Sequence, residues 1–212
     1  TSADAIDAAL VGFESDGTAQ LICTHTLELP ADLKTRIIAA QTRSDTTIRD
    51  VCEQDVALSL LYAAAVETLI EKANVPASKI EAIGNHGQTL LHAPEADDPF
   101  TLQIGDNHRL AELLGITVVG DFRRRDIAAG GQGAPLVPAF HRTLVSQTET
   151  AAFLNVGGIA NISVIAPDQV SGFDTGPGNT LSDAWIRKHQ QQAFDAGGAW
   201  ASTGTVNEPL LE

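Results

Sequence analysis

The chain has 212 residues, 43% hydrophobic and 19% charged, which is enough for one sizeable core or two modest domains. No apolar run approaches the roughly 18–20 residues of a membrane-crossing helix. The net charge of −14 argues against nucleic acid or an anionic membrane surface as partner, and an anionic substrate would need a local cationic pocket.

Ala8 to Phe13 reads as a buried strand and Ala19 to Leu29 as an alternating one. A turn at Ser15 to Thr18 joins them, so an antiparallel hairpin is predicted. Pro30 can start a helix running to about Thr42. Ser44 and Asp45 are N-cap candidates for a long helix from about Thr46 to Ala73. Its Val51, Ala57, Leu58, Leu61, Ala65 and Leu69 recur at helical spacing. Glu53, Asp55, Glu67 and Glu71 are expected on its solvated face. The two cysteines, Cys23 and Cys52, form no CxxC and sit in apolar segments, which predicts buried free thiols in a reducing compartment.

Ile80 to Gly84 reads as a short strand ending in a polar turn, Asn85 to Thr89. Asp106 can cap a helix through Leu114. Ile116 to Gly120 is a further strand, followed by a loop that carries Asp121 to Asp126 and continues through Gly130 to Pro135. A helix from about Pro135 to Val145 follows. The pattern then restarts. Ala151 to Val156 and Asn161 to Ala166 are strands about a Gly157-Gly158 turn, Ser171 to Thr175 is a third, and Thr180 to Gln192 is a helix with Trp185 in its core face. Gly204 to Glu212 resembles a helix cut short. This order predicts α/β, with a boundary near Ser146 to Thr150.

Several segments could carry chemistry. Thr1 to Asp7, with its small hydroxyls and carboxylates beside a hairpin, either holds phosphate oxygens and a hydrated Mg²⁺ or is an ordinary polar terminus. Asn155 to Asn161, NVGGIAN, is either a phosphate turn or a plain Gly-Gly hairpin. Asp121-Phe122-Arg123-Arg124-Arg125-Asp126 follows a strand directly, where α/β folds bind ligands, and arginine forks grip carboxylate or phosphate. The alternative is a solvated basic loop. Asn85 to Thr89 offers directional donors and acceptors suited to a sugar, while His86 and His92 make no convincing metal site. In Gly172 to Asn179, GFDTGPGN, Asp174 stands at a strand end and can accept a proton as charge develops. Otherwise Asp174 makes a turn and Asn179 caps a helix.

Taken together, TSADAID, GNHGQTLLHAP, TLQIGD, VVGDFRRRDIAAGGQGAPLVPAFH, NVGGIANIS and GFDTGPGN resemble the anhydro-N-acetylmuramic acid kinases over nearly the whole chain. That resemblance implies two RNase H-like halves of the sugar kinase/Hsp70/actin type. The first would span 1–146 with the sugar-site loops, and the second would start the nucleotide-binding domain at 147–212, incomplete in this chain. It implies a cytoplasmic, homodimeric enzyme of peptidoglycan recycling that uses ATP and Mg²⁺. The enzyme would open 1,6-anhydro-N-acetylmuramic acid with water and phosphorylate O6.

By position, Asp174 would be the catalytic base. Thr1, Ser2, Asp4, Asn155, Gly157, Gly158 and Gly176 would face the nucleotide, with Asp4 reaching the metal through water. His86, Gln88, Thr89, Asp121, Arg123, Arg125 and Asp126 would bind the sugar. Alternatives are a sugar-binding or regulatory module that has lost catalysis, and a kinase for a different sugar. Two departures stand out. Ala5 replaces a glycine of the family pattern, and family members are much longer. With no methionine and a start inside a motif, the 212 residues are expected to be part of a longer enzyme, and inactive as a kinase alone.

Overall fold

The computed structural model describes residues 5–15 and 17–211. Thr1, Ser2 and Asp4 therefore lie outside the described residues. The chain is mixed α/β and divides between Leu136 and Val137 into two compact units.

In the first unit, β1 (Ala5–Phe13) and β2 (Ala19–Glu28) pair antiparallel from Ala5↔Glu28 to Phe13↔Ala19. α1 (Ala31–Thr42) follows Pro30, and α2 (Ile48–Ala73) is the longest element. The cap of α2 is Thr47, not Ser44 or Asp45. The Asp50 amide donates to Thr47 Oγ1 at 3.1 Å, and the Thr47 amide donates to Asp50 Oδ2 at 2.9 Å. These reciprocal bonds satisfy two otherwise orphaned donors. The Asp45 carboxylate is taken by Arg43, whose Nε donates to Oδ1 at 2.7 Å. α2 presents Leu58 to a core of Leu29, Leu33, Ile37, Leu90 and Ile104. Cys23 is half-buried and Cys52 exposed, both free, so neither is the buried thiol expected.

The central part departs from the sequence reading. β3 (Ile83–Asn85) runs parallel to β6 (Val118–Gly120). The residues after it are not one polar turn: His86 and Gly87 link directly into β4 (Gln88–Ala93), which pairs antiparallel with β5 (Phe100–Ile104). α3 (Asn107–Leu114) is capped by Asp106, as expected, through Oδ1 accepting from the His108 and Arg109 amides. The arginine segment is not a loop either. It forms α4 (Phe122–Ala128), anchored by buried Ile127.

In the second unit, α5 (Pro138–Thr143) packs on an antiparallel meander of β7 (Ala151–Val156), β8 (Ile159–Ala166) and β9 (Gln169–Pro177). α6 (Thr180–Gln190) follows, and α7 (Glu208–Leu211) is one short turn. Ile165 and Ile186 are fully buried in this unit. Trp185 is 56% exposed, so the core residue of α6 is its neighbour Ile186. His189 packs on the Trp185 ring at 4.2 Å between centroids.

Candidate active site

In the first unit, Asn85 pairs with Gly120 at the ends of two parallel strands, so His86 and Asp121 leave the sheet at the same carboxyl edge. That edge is where α/β folds place ligands. Asn85 organises it. Its Nδ2 donates to Asn107 Oδ1 at 2.7 Å and to the Gly105 carbonyl at 3.2 Å, while its Oδ1 accepts from the Gly87 amide at 3.1 Å. The Gly105 amide donates to Asp55 Oδ1 at 2.6 Å. Asp55 thus ties α2 to the site rather than joining the solvated face expected of it. Asn85, His86, Gln103, Asn107, Asp121 and Arg124 line a small polar cavity of about 70 Å³.

His86 is held in one tautomer. Nδ1 donates to the Gly87 carbonyl at 2.7 Å, which leaves Nε2 bare to accept from Arg123 Nε at 2.8 Å. Burial pushes the His86 pKa below its ordinary 6.5; the Gly87 bond opposes this, and the Arg123 charge adds to it. The folded state therefore takes up this proton at lower pH than the unfolded chain does. The stabilising contribution is whole above about pH 6.5 and is lost as pH falls from there through the lower folded value. The melting temperature of the full-length protein is expected to drop on acidification below pH 6.5. His86→Gln, which does not titrate, should flatten part of that drop; an identical pH slope in the variant would exclude His86 as a contributor.

Arg123 Nη1 donates to the Gly133 carbonyl at 2.5 Å, and the Gly133 amide donates to Asp126 Oδ2 at 2.7 Å. Residues 123 and 126 lie one turn apart on one face of α4, and together they hold both polar groups of one peptide residue. Asp126 is thereby a clamp for the following loop. Asp121 and Arg124 form a fork, Nε to Oδ1 at 2.8 Å and Nη2 to Oδ2 at 2.6 Å. This pairing holds the Arg124 pKa above its ordinary value. Arg125 is exposed, about 200° around the helix from Arg123, so the three arginines do not act as one cluster.

Gln88 is buried in β4, with Nε2 donating to the Thr89 carbonyl at 3.4 Å. Thr89 Oγ1 accepts from Gln103 Nε2 at 3.3 Å. Among the expected sugar residues, the structure brings His86, Asp121, Arg123 and Asp126 together. It adds Asn85 and Arg124, which lie in the segments singled out but were not among the expected sugar ligands, and Asn107, which sequence reasoning missed. The Asp121–Arg124 spacing is a helical ion-pair signal once α4 is known to be a helix.

In the second unit, the strand expected over Ser171 to Thr175 is longer, Gln169–Pro177, and takes in all of GFDTGP. Asn155 pairs with Asn161, and Asn161 with Asp174. A register shift between Ala160 and Asn161 sets both Asp174 and Thr175 against Asn161, a β-bulge that re-aims side chains. Asp174 is exposed. Gly176 lies just beyond it at φ +140°.

The Gly157-Gly158 turn is fastened to the start of α6. The Gly178 amide donates to the Gly158 carbonyl at 2.9 Å and the Asn179 amide to the Gly157 carbonyl at 2.8 Å. Asn179 precedes α6 but makes no side-chain cap. A Cβ on Gly178 would lie 2.1 Å from the Gly157 carbonyl oxygen. Gly178→Ala is therefore expected to displace the turn and lower the melting temperature of the full-length protein by several degrees. Thermal denaturation checks this, and an unchanged melting temperature would show that the turn accommodates the methyl group. Among the described residues, no group of three His, Cys, Asp or Glu could hold a metal ion.

A sequence model of the anhydro-N-acetylmuramic acid kinases matches residues 1–212. Relatives of that name from Coxiella burnetii (strain Dugway 5J108-111), Haemophilus influenzae and Vibrio cholerae are 50%, 48% and 47% identical over all of this chain. The match covers 57%, 56% and 57% of their respective lengths, so the chain spans little more than half of each relative. The chain belongs to the anhydro-N-acetylmuramic acid kinase family.

Proposed function

We infer that the full-length protein is an ATP-dependent kinase acting on 1,6-anhydro-N-acetylmuramic acid. It would hydrolyse the anhydro ring and phosphorylate O6 to give N-acetylmuramic acid 6-phosphate. The observation that carries this reading is 47–50% identity, along the whole chain, to relatives named for that activity. The shared name favours this substrate over a different sugar and over a module without catalysis. Two RNase H-like halves, with the first near 1–146 and the second from 147, are proposed with it. So are a cytoplasmic location and a homodimer.

Asp174 is the proposed base. It takes a proton from water as the water oxygen bonds to the anomeric carbon. The C1–O6 bond breaks, and O6 is freed to accept a phosphoryl group. His86 and Arg123 are proposed to bind the sugar and its lactyl carboxylate, with Asp121 beside them and Asp126 holding the loop. Gln88, Thr89 and Arg125 contribute less directly, since the first two are engaged in their sheet and the third points away. Arg123 Nε and Nη1 are already committed to His86 and Gly133, which leaves Nη2 for the substrate.

The Gly157-Gly158 turn fits a phosphate group. A Cβ on Gly157 would meet nothing nearer than 3.7 Å, so backbone can approach an anion there. Asn155 and Gly176 flank that turn, and Thr1, Ser2 and Asp4 are proposed as further phosphate contacts. ATP supplies the phosphoryl group and Mg²⁺ neutralises its charge, and Mg²⁺ needs few protein carboxylates because it keeps several waters. Turnover of a panel of sugars by the full-length protein tests the substrate. The anhydro sugar should give the highest kcat/KM, and a preference for an unbridged hexose would refute the assignment.

A further inference from the structure

The polar cavity at the carboxyl edge of β3 and β6 has a volume of about 70 Å³. That is more than the roughly 10–15 Å³ that one water needs, and far below the roughly 300 Å³ of a cleft that holds a whole small molecule. It has room for a substituent, not for a complete sugar. Most of the hydrogen-bonding capacity of its lining is already spent. His86 has Nδ1 on the Gly87 carbonyl and Nε2 under Arg123. Gln103 Nε2 donates to Thr101 Oγ1 at 2.7 Å and to Thr89 Oγ1 at 3.3 Å, while its Oε1 is sealed from solvent. Arg124 is forked onto Asp121, and its side chain is 67% exposed.

Asn107 differs, and the polarity of its amide follows from two backbone groups. The Gly87 N–H can only donate, so the Asn85 atom that meets it is Oδ1. Asn85 Nδ2 then faces the Gly105 carbonyl and Asn107. Both Nδ2 hydrogens are used, so the Asn107 atom that accepts is Oδ1. This leaves Asn107 Nδ2 with two hydrogens and no partner among the described residues. Asn107 is half-buried in the first turn of α3 and lines the cavity. Its amide lies against Gly120, where a Cβ would collide with Nδ2. Held by Asn85 and backed by Gly120, the donor has little side-chain freedom left to lose when a ligand binds.

We propose that Asn107 Nδ2 binds an uncharged acceptor oxygen of the sugar, the acetamido carbonyl or a ring hydroxyl, in this cavity. The assignment rests on the sugar kinase reading above. The donor itself is neutral, and the arginine lining the cavity is already paired with Asp121. A carboxylate entering the cavity would be desolvated without an unpaired positive charge among the described residues. That costs far more than burying a hydrogen-bonded carbonyl or hydroxyl. The lactyl carboxylate therefore goes to Arg123 Nη2, and an uncharged oxygen goes to Asn107.

The test measures kcat, KM for both substrates and the melting temperature of the full-length protein, for wild type, Asn107→Asp and Asn107→Ala. Asp keeps an oxygen for Asn85 Nδ2 but turns the free donor into an acceptor. KM for the anhydro sugar should rise about tenfold, as expected for a buried acceptor left without its donor. KM for ATP-Mg²⁺ and kcat should stay within about twofold. Asn107→Ala should raise the sugar KM in the same way, and it serves if Asn107→Asp fails to fold. A 2-deoxy analogue of the sugar, which lacks the acetamido group, separates the two oxygens. A penalty confined to the parent sugar assigns the acetamido carbonyl, and a penalty on both assigns a ring hydroxyl. A sugar KM within about twofold of wild type in both variants overturns the proposal and leaves the kinase reading standing. So does a raised sugar KM that comes with a raised ATP KM and a lower melting temperature, the mark of a structural role. A wild-type protein that does not phosphorylate the anhydro sugar overturns both.

Discussion

Asp174→Asn is expected to lower kcat by about 10²–10⁴-fold, the usual contribution of a positioned general base. Asn preserves the shape of the side chain but cannot take the proton. Its neighbours on β8 and β9 should hold it in place, because the strand is fixed by backbone pairing from Ile159↔Pro177 to Ala166↔Gln169. KM for the sugar should change little, since the base acts as charge develops rather than on the ground state. Steady-state kinetics with the full-length protein decide this. A variant within about threefold of wild-type kcat would remove Asp174 from the proton transfer.

The second large effect is expected at Arg123. Arg123→Lys keeps the charge but loses the fork that reaches His86 and Gly133 together. One acceptor, His86 Nε2 or the Gly133 carbonyl, is then left without a donor in a half-buried setting. The cost should be about 1–3 kcal/mol of stability. The loop after α4 should loosen, because Asp126 alone would still hold the Gly133 amide. KM for the anhydro sugar should rise by about tenfold, which corresponds to about 1.4 kcal/mol of lost binding. Chemical denaturation and KM measured on the same protein separate the two effects. Normal stability with a raised KM would mean that Arg123 serves substrate alone; lowered stability with unchanged KM would make it purely structural.

Much of this was legible in the sequence because the signals were local. The β1–β2 hairpin, the Asp106 cap and the Gly157-Gly158 turn each depend on neighbours within a few residues. What was not legible depended on competition or on distance. The cap of α2 was expected at Ser44 or Asp45, but Arg43 takes the Asp45 carboxylate and Thr47 caps instead. α4 is seven residues long, too short to display a 3.6-residue apolar period, so its arginines read as a loop. Their division into an inward Arg123, a paired Arg124 and an outward Arg125 follows only from helical geometry.

Trp185 and Ile186 are adjacent, and nothing within α6 alone decides which of them faces the core. The hub at Asn85 joins residues from β3, the β5–α3 link and α3, a meeting that sequence spacing does not encode. Asp174 was expected at the end of a strand over Ser171 to Thr175, and that strand runs on through a bulge to Pro177. The carboxylate still stands at the edge of the sheet beside a glycine turn, now with a defined row of neighbours, Asn155 and Asn161.

The most direct test of the central claim is turnover by the full-length protein in ¹⁸O-labelled water, with 1,6-anhydro-N-acetylmuramic acid and ATP-Mg²⁺. If Asp174 activates water at the anomeric carbon and O6 accepts the phosphoryl group, the product carries ¹⁸O at C1 and none in the phosphate ester. Product lacking label at C1, or no phosphorylated sugar at all, would contradict it.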